Sequence, residues 1–139
     1  MCLILAVISV SAISAVAAEK VTVSGHDFNV PDGYSEDSRF AINNRVNNYG
    51  ETVNAKGYVN GNDVISICVM SSRDGNFSSM PNEGNVIERN VNGITGYVNN
   101  QVISLYWDGM LTQFAYVNGT DQIRITVSDE SLFDEVIIQ

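Results

Sequence analysis

The chain has 139 residues, with 16 acidic and seven basic side chains and a formal net charge of −9 at pH 7. The few lysines and arginines are scattered, which argues against nucleic acid and anionic membranes as partners, because both are held by clustered cations. A single histidine, His26, excludes a metal site built on two histidines.

The N-terminal segment has the composition of a leader. Residues 3–16 are apolar or small, and small residues follow directly before the first charges at Glu19 and Lys20. The apolar run is shorter than the roughly 20 residues that a spanning helix needs. We therefore expect a secretory signal peptide at 1–18 and a single domain at 19–139, secreted or at the cell surface. The alternative is an uncleaved N-terminal anchor, so a membrane is expected as partner only during export or through that segment.

The first half of the domain predicts short strands and turns. Residues 21–24 and 27–30 are predicted to be extended, with Gly25-His26 either as a turn between two strands or as a bulge within one continuous strand. Residues 35–39 fit a helical turn, and the Asn-rich stretch 43–48 fits either irregular chain or an exposed edge strand.

The middle of the chain predicts two hairpins. Residues 52–59 and 64–71 flank an Asn-Gly turn, and a three-residue loop there would place Val53, Ala55, Gly57 and Val59 on the face of Ile65, Ile67 and Val69. Cys68 would then lie on the other face, and as the only cysteine after the leader it permits no internal disulfide. A long loop at 72–85 leads to a second hairpin, 86–89 and 93–98, through Asn92-Gly93.

The predicted fold is built around a three-stranded meander at 101–127. A two-residue loop at Asp108-Gly109 would pair Trp107 with Met110, and a four-residue loop at 118–121 would pair Tyr116 with Ile123. One face then collects the expected core residues, which are Ile103, Leu105, Trp107, Met110, Phe114, Tyr116, Ile123, Ile125 and Val127.

The last residues predict a helix over 129–138, with Ser128 as N-cap and a stripe formed by Leu132, Phe133, Val136 and Ile137. Together these elements predict an α+β domain. Its mostly antiparallel sheet would have about six to seven strands, with the short C-terminal helix packed on one face.

Catalytic signatures are weak. His26 lies at a predicted turn, no serine stands in a Gly-x-Ser-x-Gly elbow, and Cys68 lies in an apolar strand where a thiol is inert. No catalytic, cofactor-binding or metal residue is assigned, and no cofactor is expected. A small hydrolase that uses His26 or clustered carboxylates stays as one alternative.

Binding is the other class of function that the residues suggest. Five oxygen donors near the start of the predicted domain could form a weak calcium site: Asp27, Asn29, Asp32, Glu36 and Asp37. Their spacing does not match an EF-hand loop, because Pro31 stands where an oxygen ligand is needed. Tyr106, with Tyr58 and Tyr97 nearby, could form a surface for a carbohydrate or a protein at the cell surface, or could simply serve cross-strand packing. Asn76 and Asn118 match the N-glycosylation pattern.

Several stretches together carry a resemblance. They are Val21-Thr22-Val23, the run from Phe28 to Tyr34, Ile65-Ser66-Ile67, the run from Asn92 to Tyr97, and the final strand with its acidic amphipathic segment. In this layout the chain resembles small exported proteins of unknown function from methanogenic archaea. The resemblance implies a cell-surface setting and assigns no activity. We therefore expect a non-enzymatic interaction or envelope module, with a ligand- or calcium-binding module as the alternative.

Overall fold

The computed structural model describes residues 18–72 and 85–139. Twelve elements follow one another in these ranges: β1 (Glu19–Val23), β2 (His26–Val30), β3 (Ser35–Glu36), a 3₁₀ turn (Ser38–Phe40), β4 (Ile42–Val46), β5 (Thr52–Asn60), β6 (Asp63–Ser71), β7 (Ile87–Val91), β8 (Ile94–Ile103), β9 (Met110–Asn118), β10 (Asp121–Val127) and α1 (Leu132–Val136). No helix within these ranges is long and apolar enough to cross a membrane.

Eight of the strands form one antiparallel sheet in the order β3-β5-β6-β10-β9-β8-β7, and β4 also pairs with β5. The separate β1–β2 hairpin and α1 pack on one side of this sheet, which we call the core face. The opposite side is the outer face. The predicted α+β class, with a mostly antiparallel sheet and a short C-terminal helix, is confirmed.

The core lies between the sheet and its two covering elements. The largest side chains that are fully buried there come from both layers: Phe28, Ile65, Ile67, Phe114, Ile123, Ile125, Phe133 and Ile137. Each such side chain contributes about 1.5 to 3 kcal/mol when it leaves water. The face of β10 and the stripe of α1 therefore supply a large part of the free energy of folding.

Several predicted elements are confirmed. The β9–β10 hairpin has the expected register, with Tyr116 opposite Ile123 and Phe114 opposite Ile125, although its loop is shorter because Asn118 also pairs with Asp121. The β7–β8 hairpin turns at Asn92-Gly93, and the stretch 43–48 contributes to an exposed edge strand.

The register predicted for the first hairpin of the meander is wrong. β8 ends at Ile103, which pairs with Met110, and residues 104–109 form a six-residue loop. Ile103 and Met110 are largely exposed, and Leu105 is 96% exposed. Trp107 joins a small apolar cluster on the outer face with Phe40, Val64 and Leu111, so it does not share the core with Phe114 and Ile125.

Two further predictions are wrong. The β5–β6 loop has two residues, since Asn60 pairs with Asp63, and this places Ala55 beside Cys68 on the outer face. Ser128 does not cap the helix. Its hydroxyl accepts from the Val64 amide at 3.0 Å and donates to the Asp63 carboxylate at 3.1 Å, while α1 begins three residues later than predicted, at Leu132.

Candidate functional site

The outer face carries a trough whose floor includes several short side chains. Ala55, Cys68 and Arg124 are cross-strand neighbours on β5, β6 and β10, and Ser66 and Thr126 form the next pair toward one end. Neighbouring strands lie about 4.8 Å apart, so short side chains in the middle of the face leave a depression between longer ones. The trough has a volume of about 430 Å³.

Phe40 and Tyr106 form the wall at one end of the trough. The 3₁₀ turn places Phe40 directly over Gly57, where a Cβ atom would lie 2.8 Å from Phe40 Cδ2 and still closer to Cβ and Cγ. The Tyr106 ring meets Phe40 edge to face, with ring centroids 5.9 Å apart and an interplanar angle of 77°. Tyr106 is 53% exposed, so much of its ring remains open to a ligand. The loop 104–109, predicted to be part of a strand, thus supplies part of the wall.

Within the described part of the chain, three basic side chains line the trough: Arg39, Arg45 and Arg124. Arg39 is neutralised by Asp37, to which it donates at 2.5 and 3.0 Å. These hydrogen bonds lower the pKa of the Asp37 carboxyl. No acidic side chain from the described ranges lines the trough.

Arg45 and Arg124 are the two cations of the trough without a carboxylate partner among the described residues. Arg124 donates through Nε to the Gln122 side-chain oxygen at 3.0 Å, which leaves its terminal nitrogens available. Arg45 is exposed on edge strand β4. An acidic protein therefore presents two uncompensated guanidinium groups on one small surface.

The remaining polar groups of the trough fit hydrogen bonding better than catalysis. Gln113 donates to the Thr126 hydroxyl at 3.0 Å, and Ser66 lies beside this pair. Burial raises the pKa of the Cys68 thiol, and the nearby Arg124 lowers it by less. The thiol is therefore protonated near neutral pH, which makes it a poor nucleophile.

A second depression adjoins the trough. It has a volume of about 550 Å³, and Asn62, Trp107 and Asp108 line it together with Arg39 and Tyr106, which also line the trough. The two shared residues join the depressions into one continuous surface across the β8–β9 loop and the 3₁₀ turn. We call the second depression the side cleft.

The three predicted surface tyrosines lie in different places. Tyr106 borders the trough, and Tyr97 is half-buried on the outer face opposite Ala115. The prediction for Tyr58 is wrong: it is 4% exposed and belongs to the core, because the two-residue β5–β6 loop pairs it with Ile65. Asn118 is exposed at the end of β9, whereas Asn76 lies outside the described residues.

His26 does meet an acidic partner. Its Nε2 lies 2.7 Å from Asp121 Oδ2, and both side chains are 18% exposed. His26 borders a cleft of about 230 Å³ that Tyr116 and Gln139 also line. No serine, threonine or cysteine among the described residues lines this cleft, so the pair ties the β1–β2 hairpin to the β9–β10 turn without a nucleophile beside it.

Two of the proposed calcium ligands are engaged elsewhere. Asp27 pairs with Lys20 at 2.8 Å and accepts from Thr22 at 2.7 Å, and Asp37 holds Arg39. Across 18–72 and 85–139, no three His, Cys, Asp or Glu side chains are grouped to hold a metal ion.

Comparisons of this chain with protein-family models, with curated proteins and with solved structures found no match. Its candidate site is therefore defined by the trough alone. Sequence reasoning missed Arg39 and Arg45, which lie in a stretch without clear periodicity. Of the residues that the sequence singled out as candidates for binding, Tyr106 borders the trough.

Proposed function

We propose that this protein is a non-enzymatic binding module that acts outside the cytoplasm and holds an anionic ligand in the outer-face trough. The observation that carries the proposal is the pair Arg45 and Arg124, which line the trough and have no carboxylate partner among the described residues. The extracellular setting rests on the leader-like composition of 1–18 and on the resemblance to exported proteins.

The charge distribution favours a ligand that carries carboxylate groups. A guanidinium binds a carboxylate through two parallel N–H donors, and such charge-assisted bonds are about twice as strong as neutral ones. The rest of the chain is acidic and repels anions at long range. Binding must therefore depend on close contact with the trough.

A thermal-unfolding assay tests this proposal with citrate as the probe. The wild-type protein, at constant ionic strength and low millimolar citrate, should gain about 1.4 kcal/mol of stability when citrate reaches ten times its Kd. The melting temperature should rise by several degrees and should continue to rise with the logarithm of the citrate concentration. The double variant R45Q/R124Q should lose this rise.

The variant R89Q is the matched control, because Arg89 lies on β7, away from the trough, and is paired with Glu130 at 3.0 Å. It removes the same kind of charge and should keep the citrate effect. A citrate effect that is equal in R45Q/R124Q and wild type would contradict the proposal.

The His26–Asp121 pair supports a second candidate function, a small hydrolase in which His26 activates water. This candidate requires turnover of an ester substrate that disappears in His26→Ala while the fold persists. If the wild-type protein turns over the ester no faster than His26→Ala does, the pair serves only to hold the β1–β2 hairpin.

A further inference from the structure

We infer that the ligand is an acidic oligosaccharide, with the carboxylate of a uronic acid unit in the trough and a neutral sugar unit in the side cleft. This inference rests on the proposed function and adds the class of ligand.

The first step is the length of the surface. The trough and the side cleft share Arg39 and Tyr106 and have volumes of about 430 and 550 Å³. A single small acid would occupy only one of them. A chain of at least two linked units can contact both.

The second step is the difference in charge between the two depressions. The trough presents Arg45 and Arg124, whereas the side cleft presents Asp108 and the amide of Asn62. A carboxylate accepts hydrogen bonds from sugar hydroxyls and repels a second anion. The surface therefore fits a ligand whose acidic unit is followed by a neutral one.

The third step is the chemistry of the boundary and the floor. The exposed ring of Tyr106 and the half-buried indole of Trp107 offer apolar surfaces with polar ends, as sugar rings require. Ser66, Gln113 and Thr126 offer side-chain groups for hydroxyls beside the two arginines.

An acidic peptide fits less well. Extended peptides gain affinity by adding to a sheet edge through main-chain hydrogen bonds. The floor of the trough is the face of β5, β6 and β10, whose backbone groups pair within the sheet. A peptide lying there would leave its own backbone without such partners.

The test uses isothermal titration calorimetry with a hyaluronan hexasaccharide, in which glucuronate alternates with a neutral amino sugar. We expect it to bind at least about tenfold tighter than glucuronate alone, since linked units add contacts in both depressions. The same hexasaccharide with its carboxyl groups reduced to alcohols should bind at least about tenfold more weakly, because it lacks the charge-assisted bonds.

Variants locate the binding. R45Q/R124Q should lose binding of the hexasaccharide, and R89Q should keep it. Asn62→Ala, at a residue that lines the side cleft and not the trough, should reduce the hexasaccharide affinity toward that of glucuronate while leaving the citrate effect intact. Tyr106→Ala should weaken hexasaccharide binding, whereas Tyr106→Phe should keep it. As a direct readout, bound hexasaccharide should slow alkylation of Cys68, which lies in the trough.

The outcomes separate the two proposals. Hexasaccharide binding no tighter than that of glucuronate, equal binding of the carboxyl-reduced form, or tighter binding of oligoglutamate would overturn the sugar assignment and leave anion binding standing, provided that citrate acts through Arg45 and Arg124. If citrate also has no effect that depends on these arginines, both proposals fall.

Discussion

Replacing Gly57 with alanine should destabilise the protein through one contact, that with Phe40. A Cβ atom at position 57 would overlap Phe40 Cβ and Cγ and lie 2.8 Å from Cδ2. Gly57 is in a strand, and its φ is not in the left-handed region, so backbone strain does not explain the effect. Forcing an extra methyl group into such packing costs about 1 to 3 kcal/mol.

The Phe40→Ala variant is the matched background. Phe40 is 8% exposed, and its truncation should itself cost about 3 kcal/mol, at the low end for a buried ring. With the ring gone, Gly57→Ala should cost less than in the wild type, because the overlap with Cγ and Cδ2 is removed while the overlap with the Cβ atom of residue 40 remains. The two substitutions should therefore be coupled by about 0.5 to 2 kcal/mol.

Urea unfolding of the four proteins measures this coupling from the midpoints at unchanged m values. The single tryptophan, Trp107, packs near Phe40 in the outer cluster, so its fluorescence gives a local readout of the displaced ring. Equal costs of Gly57→Ala in the presence and absence of the Phe40 ring would refute the packing explanation.

Three further predictions concern the core, the histidine pair and the corrected register. Burial raises the pKa of Tyr116 to about 12, above its value near 10 in the unfolded chain. The protonated phenol of Tyr116 therefore contributes fully to the free energy of unfolding below pH 10. This contribution is lost between pH 10 and 12 at about 1.4 kcal/mol per pH unit. Tyr116→Phe should reduce this alkaline loss in urea titrations at pH 8 and 11. His26→Ala should lower the free energy of unfolding by about 1 to 2 kcal/mol at pH 7, and by much less in an Asp121→Asn background. An equal loss in that background would show that the His26–Asp121 contact does not cause the destabilisation. Leu105→Ser should change stability by less than about 0.5 kcal/mol, whereas Phe114→Ala should cost about 3 to 5 kcal/mol; a large cost at Leu105 would restore the register predicted from the turn.

The β9–β10 hairpin was predictable because two independent signals agree there. The Asn118-Gly119 turn and the alternation of Phe114, Tyr116, Ile123 and Ile125 give the same pairing, and any shift by one residue would expose the core set. The apolar face of the C-terminal helix was also predictable, because the spacing of its apolar residues places them all on one side of a helix.

The β8–β9 hairpin was not predictable, because its local signals mislead. Ile103, Leu105 and Trp107 alternate like a strand, and Asp108-Gly109 looks like a tight turn. The pairing is instead decided by Val98 against Phe114, with a register shift between Asn99 and Val102. That shift and the tertiary contacts of the loop leave no mark in local periodicity.

The candidate site depends on contacts between distant parts of the chain. Arg39 and Arg45 come from a 3₁₀ turn and an edge strand, Tyr106 from a loop, and Arg124 from the central strand β10. Their meeting requires the strand order of the finished sheet, in which β10 lies next to β6 rather than at an end. Spacing along the sequence carries no trace of that order.

The two ends of the open sheet have a consequence for contacts between separate molecules. Beside β5 lies β4, whose ladder is interrupted between Ile42 and Arg45 and whose exposed residues include Asn43 and Asn44. At the other end, β7 has only five residues and carries charged side chains. Irregular, short and charged borders give an incoming strand from another molecule no regular template to extend. The protein can therefore keep a broad sheet in dilute or crowded surroundings without polymerising through its borders.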